Sequence, residues 1–194
     1  MTQHPTPAEI SAELIMLHEF KDADYKDAWR KRGELIGIFS NIARKYDRLV
    51  VARGENKSEK GEAQADTAAD LCVYSIKYVT WLIEHDPNAA AAIDGADRDE
   101  WSGTRGHSAV TMALQRLADA QRTPPLNLGE AFAAVASPFT SLERILVEQQ
   151  HTSLREKAAL AWDLSGASLA YLWRLALDEP ASWERFTAYV ANPA

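Results

Sequence analysis

Only one cysteine, Cys72, occurs in the 194 residues, so no internal disulfide can form. It lies in the apolar run Leu71-Cys72-Val73-Tyr74, where a small buried thiol is expected. Basic residues are also short: 21 Lys and Arg stand against 28 Asp and Glu, a net charge of -7. Binding nucleic acid by whole-surface attraction needs a basic field, so nucleic acid is excluded as a general partner and any phosphate contact must rest on a local cluster. Apolar runs long enough to span a bilayer are missing, because charge interrupts each of them. Met1-Thr2-Gln3-His4-Pro5-Thr6-Pro7 lacks the charged and apolar blocks of a signal peptide. These absences lead us to expect a cytoplasmic protein with no membrane partner. There is no Gly-x-x-x-x-Gly-Lys phosphate loop and no metal-ligand spacing among His4, His18, His85, His107 and His151. No stretch alternates with a period of two for long enough to form a sheet.

What remains is helical periodicity, and the expected class is all-α, a helical bundle. Ile10, Leu14, Ile15, Leu17 and Phe20 recur every three or four residues, predicting a first helix from Pro7 to about Lys21 with Thr6 as N-cap. Leu35 to Val50 marks a second helix, and the charged, glycine-bounded stretch Gly54 to Gly61 a loop. A third helix is expected from Glu62 to Glu84, ending before Asp86-Pro87. Residues 88–108 mix alanines with turn signals and read mostly as loop. Further helices are expected over Ala109–Ala120, Ala131–Ala136, Leu142–Glu148, Leu154–Leu177 and Ser182–Val190, with a break at Ser137-Pro138.

Asp66-Thr67-Ala68-Ala69-Asp70 hangs two carboxylates on one face of the third helix, and Glu62 one turn earlier extends the line. Like charges so placed repel, a cost removed by a divalent cation between the oxygens. Mg2+, a hard ion, suits such a set; the other reading is a solvated face near a helix start, where the dipole favours acids. Arg44, Lys45 and Arg48 fall on one side of helix two and can hold phosphates, or can simply complement the helix C-terminus. Asp22, Asp24 and Asp27 add acids from a second element, as ligands or as a solvated loop. Tyr25 and Trp29, four apart, can stack on a base or pack in the core. His18 lies near these acids as a candidate base or a buried hydrogen-bonded ring.

The two halves of the chain also resemble each other. Asp47-Arg48-Leu49-Val50-Val51 matches Glu143-Arg144-Ile145-Leu146-Val147, and Asp70-Leu71, Ser75, Tyr78, Leu82 and Pro87 match Asp163-Leu164, Ser168, Tyr171, Leu175 and Pro180 at one constant spacing. Residues 1–87 and 88–194 thus read as two pseudo-repeated halves packed as one domain, or as amphipathic helices alike by chance. In the second half Ala159 stands where the first has Asp66, and Arg155 where it has Glu62, so the acidic site would belong to the first half alone.

Lys21-Asp22-Ala23-Asp24-Tyr25-Lys26-Asp27-Ala28-Trp29, then Gly37-Ile38-Phe39 with Ile42-Ala43-Arg44-Lys45-Tyr46-Asp47-Arg48-Leu49, then Asp66-Thr67-Ala68-Ala69-Asp70-Leu71 and Tyr74, follow a familiar order. Over roughly residues 10–85 this order resembles the phage-associated nucleotide-modification domain related to the MazG-like all-α nucleotide pyrophosphohydrolases. The resemblance implies a bundle whose acids hold Mg2+ against a nucleoside triphosphate while water releases pyrophosphate. Carried onto this chain it makes Asp66 and Asp70 catalytic, with Glu62, Asp66 and Asp70 holding metal and Asp24, Tyr25, Trp29, Lys45 and Arg48 contacting the nucleotide. The chain departs from the usual Glu-x-x-Glu helix with a later Glu-x-x-Asp by offering Asp66-x-x-x-Asp70. The competing expectation is a non-catalytic helical interaction or adaptor protein with an acidic partner-facing patch. Six tryptophans and the alanine-rich segments near Ala89 and Ala131 permit large helix contacts, including a homo-oligomer.

Overall fold

A computed structural model describes residues 4–25, 28–54, 61–93, 107–148 and 151–191. The expected all-α class is what it shows, a helical bundle with no strand among the described residues. The helices are α1 (Pro7–Tyr25), α2 (Ser40–Gly54), α3 (Gly61–His85), α4 (His107–Ala120), α5 (Leu128–Val147), α6 (Leu154–Asp178) and α7 (Pro180–Ala191). Thr6 caps α1 as expected: its N–H donates to Glu9 Oε2 at 2.7 Å while Glu9 N–H donates to Thr6 Oγ1 at 3.3 Å. Ser153 and Glu156 form the same reciprocal box at the start of α6. A π-helical turn, Glu34–Phe39, runs directly into α2.

Three boundaries differ from expectation. α1 continues one turn beyond Lys21, and Pro87–Ala92 is a 3-10 helix capped by Asp86 rather than loop. Pro138 does not break α5, which passes through it without interruption. A proline there removes one backbone donor, but its ring is buried among the core side chains that hold α5 on α6. The packing keeps the helix intact where local propensity would have ended it.

α3 and α6 form the centre and run antiparallel. The Tyr171 hydroxyl, late in α6, donates to Gln64 Oε1 at the start of α3 at 3.1 Å, while at mid-helix Cys72 Sγ donates to the Ser165 carbonyl at 3.4 Å. A side chain meeting backbone requires close approach, which Ala65, Ala68 and Ala69 on α3 and Ala158 and Ala161 on α6, all buried, permit. α2 packs on α3, α5 on α6, and α1 on α4. The segment after each closing proline crosses over: α7 packs chiefly on α3, and Pro87–Ala92 chiefly on α6. One continuous apolar core results.

The expected burial of Cys72 is observed, and burial pushes its thiol up to about 12. Since the thiolate is the reactive form, a disulfide reagent at pH 8 should leave the native protein unlabelled over hours and modify one thiol within minutes once urea unfolds the chain. Fast native labelling would contradict the α3–α6 contact.

Candidate functional site

Gly33 and Gly37 shape the approach to the site. Gly33 has φ of 75° and ψ of -173°, a region open to glycine almost alone, and turns the chain into the π segment. A Cβ on Gly37 would stand 3.0 Å from the Trp29 carbonyl oxygen and 3.2 Å from the Arg32 nitrogen, so its absence lets the Ala28–Arg30 turn lie directly on the helix. That close approach delivers Trp29 to the mouth of a cavity of about 560 Å3 between α1, α2 and α3.

Asp66 and Asp70 share this cavity's wall, one turn apart on α3. Lys21 Nζ, from α1, donates to Asp66 Oδ1 at 3.3 Å and Asp70 Oδ1 at 2.8 Å. Lys45, from α2, donates to Asp70 Oδ2. Lys45 and Asp70 are each 7% exposed, so this is a buried pair. Burial works against the Lys21 charge, but Asp70 and then Asp66 outweigh it and hold its pKa above the usual lysine value. Arg44, its guanidinium 3.2 Å from Asn41 Oδ1, and Lys77 complete the polar wall. Lys77 Nζ lies 5.7 Å from the Trp29 ring centroid and 5.9 Å from that of Tyr74, within reach of both faces. Buried His18 lines the same cavity.

Asp66, Asp70, Trp29 and Lys45 are therefore gathered in one place, as is Arg44. Arg48 is not: it is exposed on α2, one turn beyond Lys45 and outside the cavity lining. The side chains of Glu62, Asp22, Asp24 and Tyr25, and all of Asp27, lie outside the described residues. Trp29 sits in a 3-10 turn after the end of α1, so the single helical face expected for Tyr25 and Trp29 is not carried through to Trp29. Lys21 and Lys77 were missed by sequence reasoning. Lys21 stands in the quoted motif, but nothing in spacing pairs it with acids more than forty residues on.

Of the three acids expected to hold Mg2+, the side chains of Asp66 and Asp70 are described and that of Glu62 is not. Each carboxylate carries a lysine ammonium, and among the described residues no three His, Cys, Asp or Glu side chains are grouped to hold a metal. Among the lining residues four cations, Lys21, Arg44, Lys45 and Lys77, face two acids, so the wall carries an excess of positive charge.

Comparison with known proteins adds little to this geometry. No family model matches the chain, and no solved structure matches it. It is similar to the Gene 30 protein of Bacillus phage SP01, at 30% identity over 100 residues. The match covers 40% of this chain and 44% of that protein, so the chain spans less than half the length of this relative. No helix among the described residues is long and apolar enough to cross a membrane.

Proposed function

We propose that the protein binds a nucleotide in the α1–α2–α3 cavity. The observation that carries the reading is the juxtaposition of Lys21, Lys45, Lys77 and Arg44 with the rings of Trp29 and Tyr74 in one concavity. Phosphate oxygens are recognised by charge-assisted donors and bases by stacking. A volume of about 560 Å3 falls in the range of small-molecule sites. Asp66 and Asp70 serve here as positioning residues. They hold the ammonium groups in place before the ligand arrives, so less side-chain freedom is lost on binding. The resemblance to the MazG-like enzymes supports the same ligand class. Because the carboxylates are engaged by lysines, we derive no metal-dependent hydrolytic step from them.

Calorimetric titration with the common nucleoside triphosphates in the presence of a chelator tests this. At least one should bind, with Lys21→Gln and Trp29→Ala each weakening it tenfold or more and Arg48→Ala leaving it unchanged. Absence of binding across the set would return the protein to the class of non-catalytic interaction modules. Mg2+-dependent pyrophosphate release that is abolished by Asp66→Ala in a folded protein would overturn the positioning role in favour of a metal site.

A further inference from the structure

A second cavity of about 540 Å3 lies between α4, α5 and α6. Its walls correspond to those of the first, helix by helix. α3 and α6 match in both boundaries at the spacing that relates Asp70 to Asp163, and α2 and α5 match at the spacing of Arg48 and Arg144. α4 then takes the place of α1, with Val110, Thr111, Leu114 and Leu117 where α1 has Ile10, Ser11, Leu14 and Leu17. The cross-chain contacts obey the same exchange. Tyr171 meets Gln64, and its counterpart Tyr78 reaches Lys157, the counterpart of Gln64, through Glu34. Matched residues Cys72 and Ser165 touch each other, as residues near a two-fold axis must.

Several matched lining positions differ in chemistry. Gln121 replaces Lys21, Ser137 replaces Asn41 and Ser141 replaces Lys45. Gly166 and Ala167 replace Val73 and Tyr74, while Asp163 keeps the place of Asp70. Among the described residues no cation lines this wall, and Asp163 has no hydrogen-bonding or ionic partner. Neighbouring atoms desolvate it enough to raise its pKa, although it keeps access to water. The Asp163 carboxylate repels phosphate, and it, the Gln121 amide oxygen and the Ser137 and Ser141 hydroxyls can accept N–H donors, while the Trp162 indole offers a ring for stacking.

We propose that this second cavity is a phosphate-excluding counterpart of the first, which takes an uncharged heteroaromatic ligand of the nucleoside class with Asp163 accepting its ring or amino N–H. The choice of ring rests on the nucleotide reading of the first cavity. One chain then presents two related sites, one for a phosphate-bearing ligand and one for an uncharged ligand, an arrangement closed to a symmetric homodimer.

Titration of the full chain with adenosine, guanosine and cytidine is the test. At least one should saturate a single site, weakened tenfold or more by Asp163→Asn and by Gly166→Leu and untouched by Lys21→Gln. A Cβ at position 166 would stand 3.4 Å from Leu117 Cδ2 and 4.0 Å from Gln121 Nε2, ordinary contacts, so the leucine fills space rather than striking backbone. No saturation by any of the three, or an affinity unchanged in folded Gly166→Leu, overturns the proposal. Grafting the missing groups through Gln121→Lys, Ser141→Lys and Ala159→Asp should raise the stoichiometry of nucleoside triphosphate from one to two; a folded graft that stays at one overturns the correspondence. Failure of triphosphate in wild type and graft alike marks failure of the first cavity's reading. Nucleoside binding that responds to Gly166→Leu stands regardless of that result, and decides the matter if the graft does not fold.

Discussion

Asp70→Ala is expected to lower the unfolding free energy by about 3–5 kcal/mol, the cost of leaving a buried charge uncompensated. Its Lys45 partner is 7% exposed and, once the carboxylate is gone, holds an ammonium against the apolar side of α3. Replacing both members together, Lys45→Met with Asp70→Leu, should recover most of that loss, because a buried ion pair is worth little more than well-packed hydrocarbon of similar volume. Lys21 retains Asp66 in the double variant. Urea unfolding of the three proteins checks this, and a single-variant loss below about 1 kcal/mol, the value typical of a surface pair, would show the pair to be solvated. The sign of the pH effect follows from Lys21. Its folded pKa is raised above the ordinary lysine value, so its contribution is complete below that value and lost as the pH climbs through the folded one. Asp66→Asn should therefore cost stability at neutral pH and converge on wild type only in strongly alkaline solution.

Tyr78→Ala should cost a comparable 3–5 kcal/mol, as large aromatic truncations in cores do. The ring is fully buried late in α3, and its hydroxyl donates to Glu34 Oε1 at 2.5 Å. Lys157 Nζ donates to both oxygens of that carboxylate at 2.9 and 3.0 Å. Three elements, the π segment, α3 and α6, meet at this one group. Tyr78→Phe keeps the packing and leaves Glu34 with Lys157, so its loss should be about 1.5–3 kcal/mol, the worth of one hydrogen bond to a charged group. Thermal or urea unfolding separates the two variants. Equal losses would mean that the hydroxyl, rather than the ring, dominates.

Asp70 stood out as a charge at the head of an apolar run, and Lys45 as one of a basic cluster on one side of helix two. Their partnership was not legible. Local periodicity says which face of a helix a residue occupies, but not which side chain arrives from a helix packed against it. Like-charge repulsion between Asp66 and Asp70 therefore suggested a missing cation, and a metal was the local solution. Beside both carboxylates the structure places Lys21 and Lys45, from two other helices.

By itself the sequence determined the helical class, the cap at Thr6 and the acidic pair on α3, because each depends on interactions within a few residues along the chain, and the apolar run around Cys72 foretold its burial. Tertiary structure decided the rest. It kept α5 continuous through Pro138, placed Arg48 outside the cavity, paired both aspartates with lysines and opened a second, cation-free cavity beneath α4. Those outcomes follow from side chains distant in sequence competing for the same space and charge, which no local pattern records.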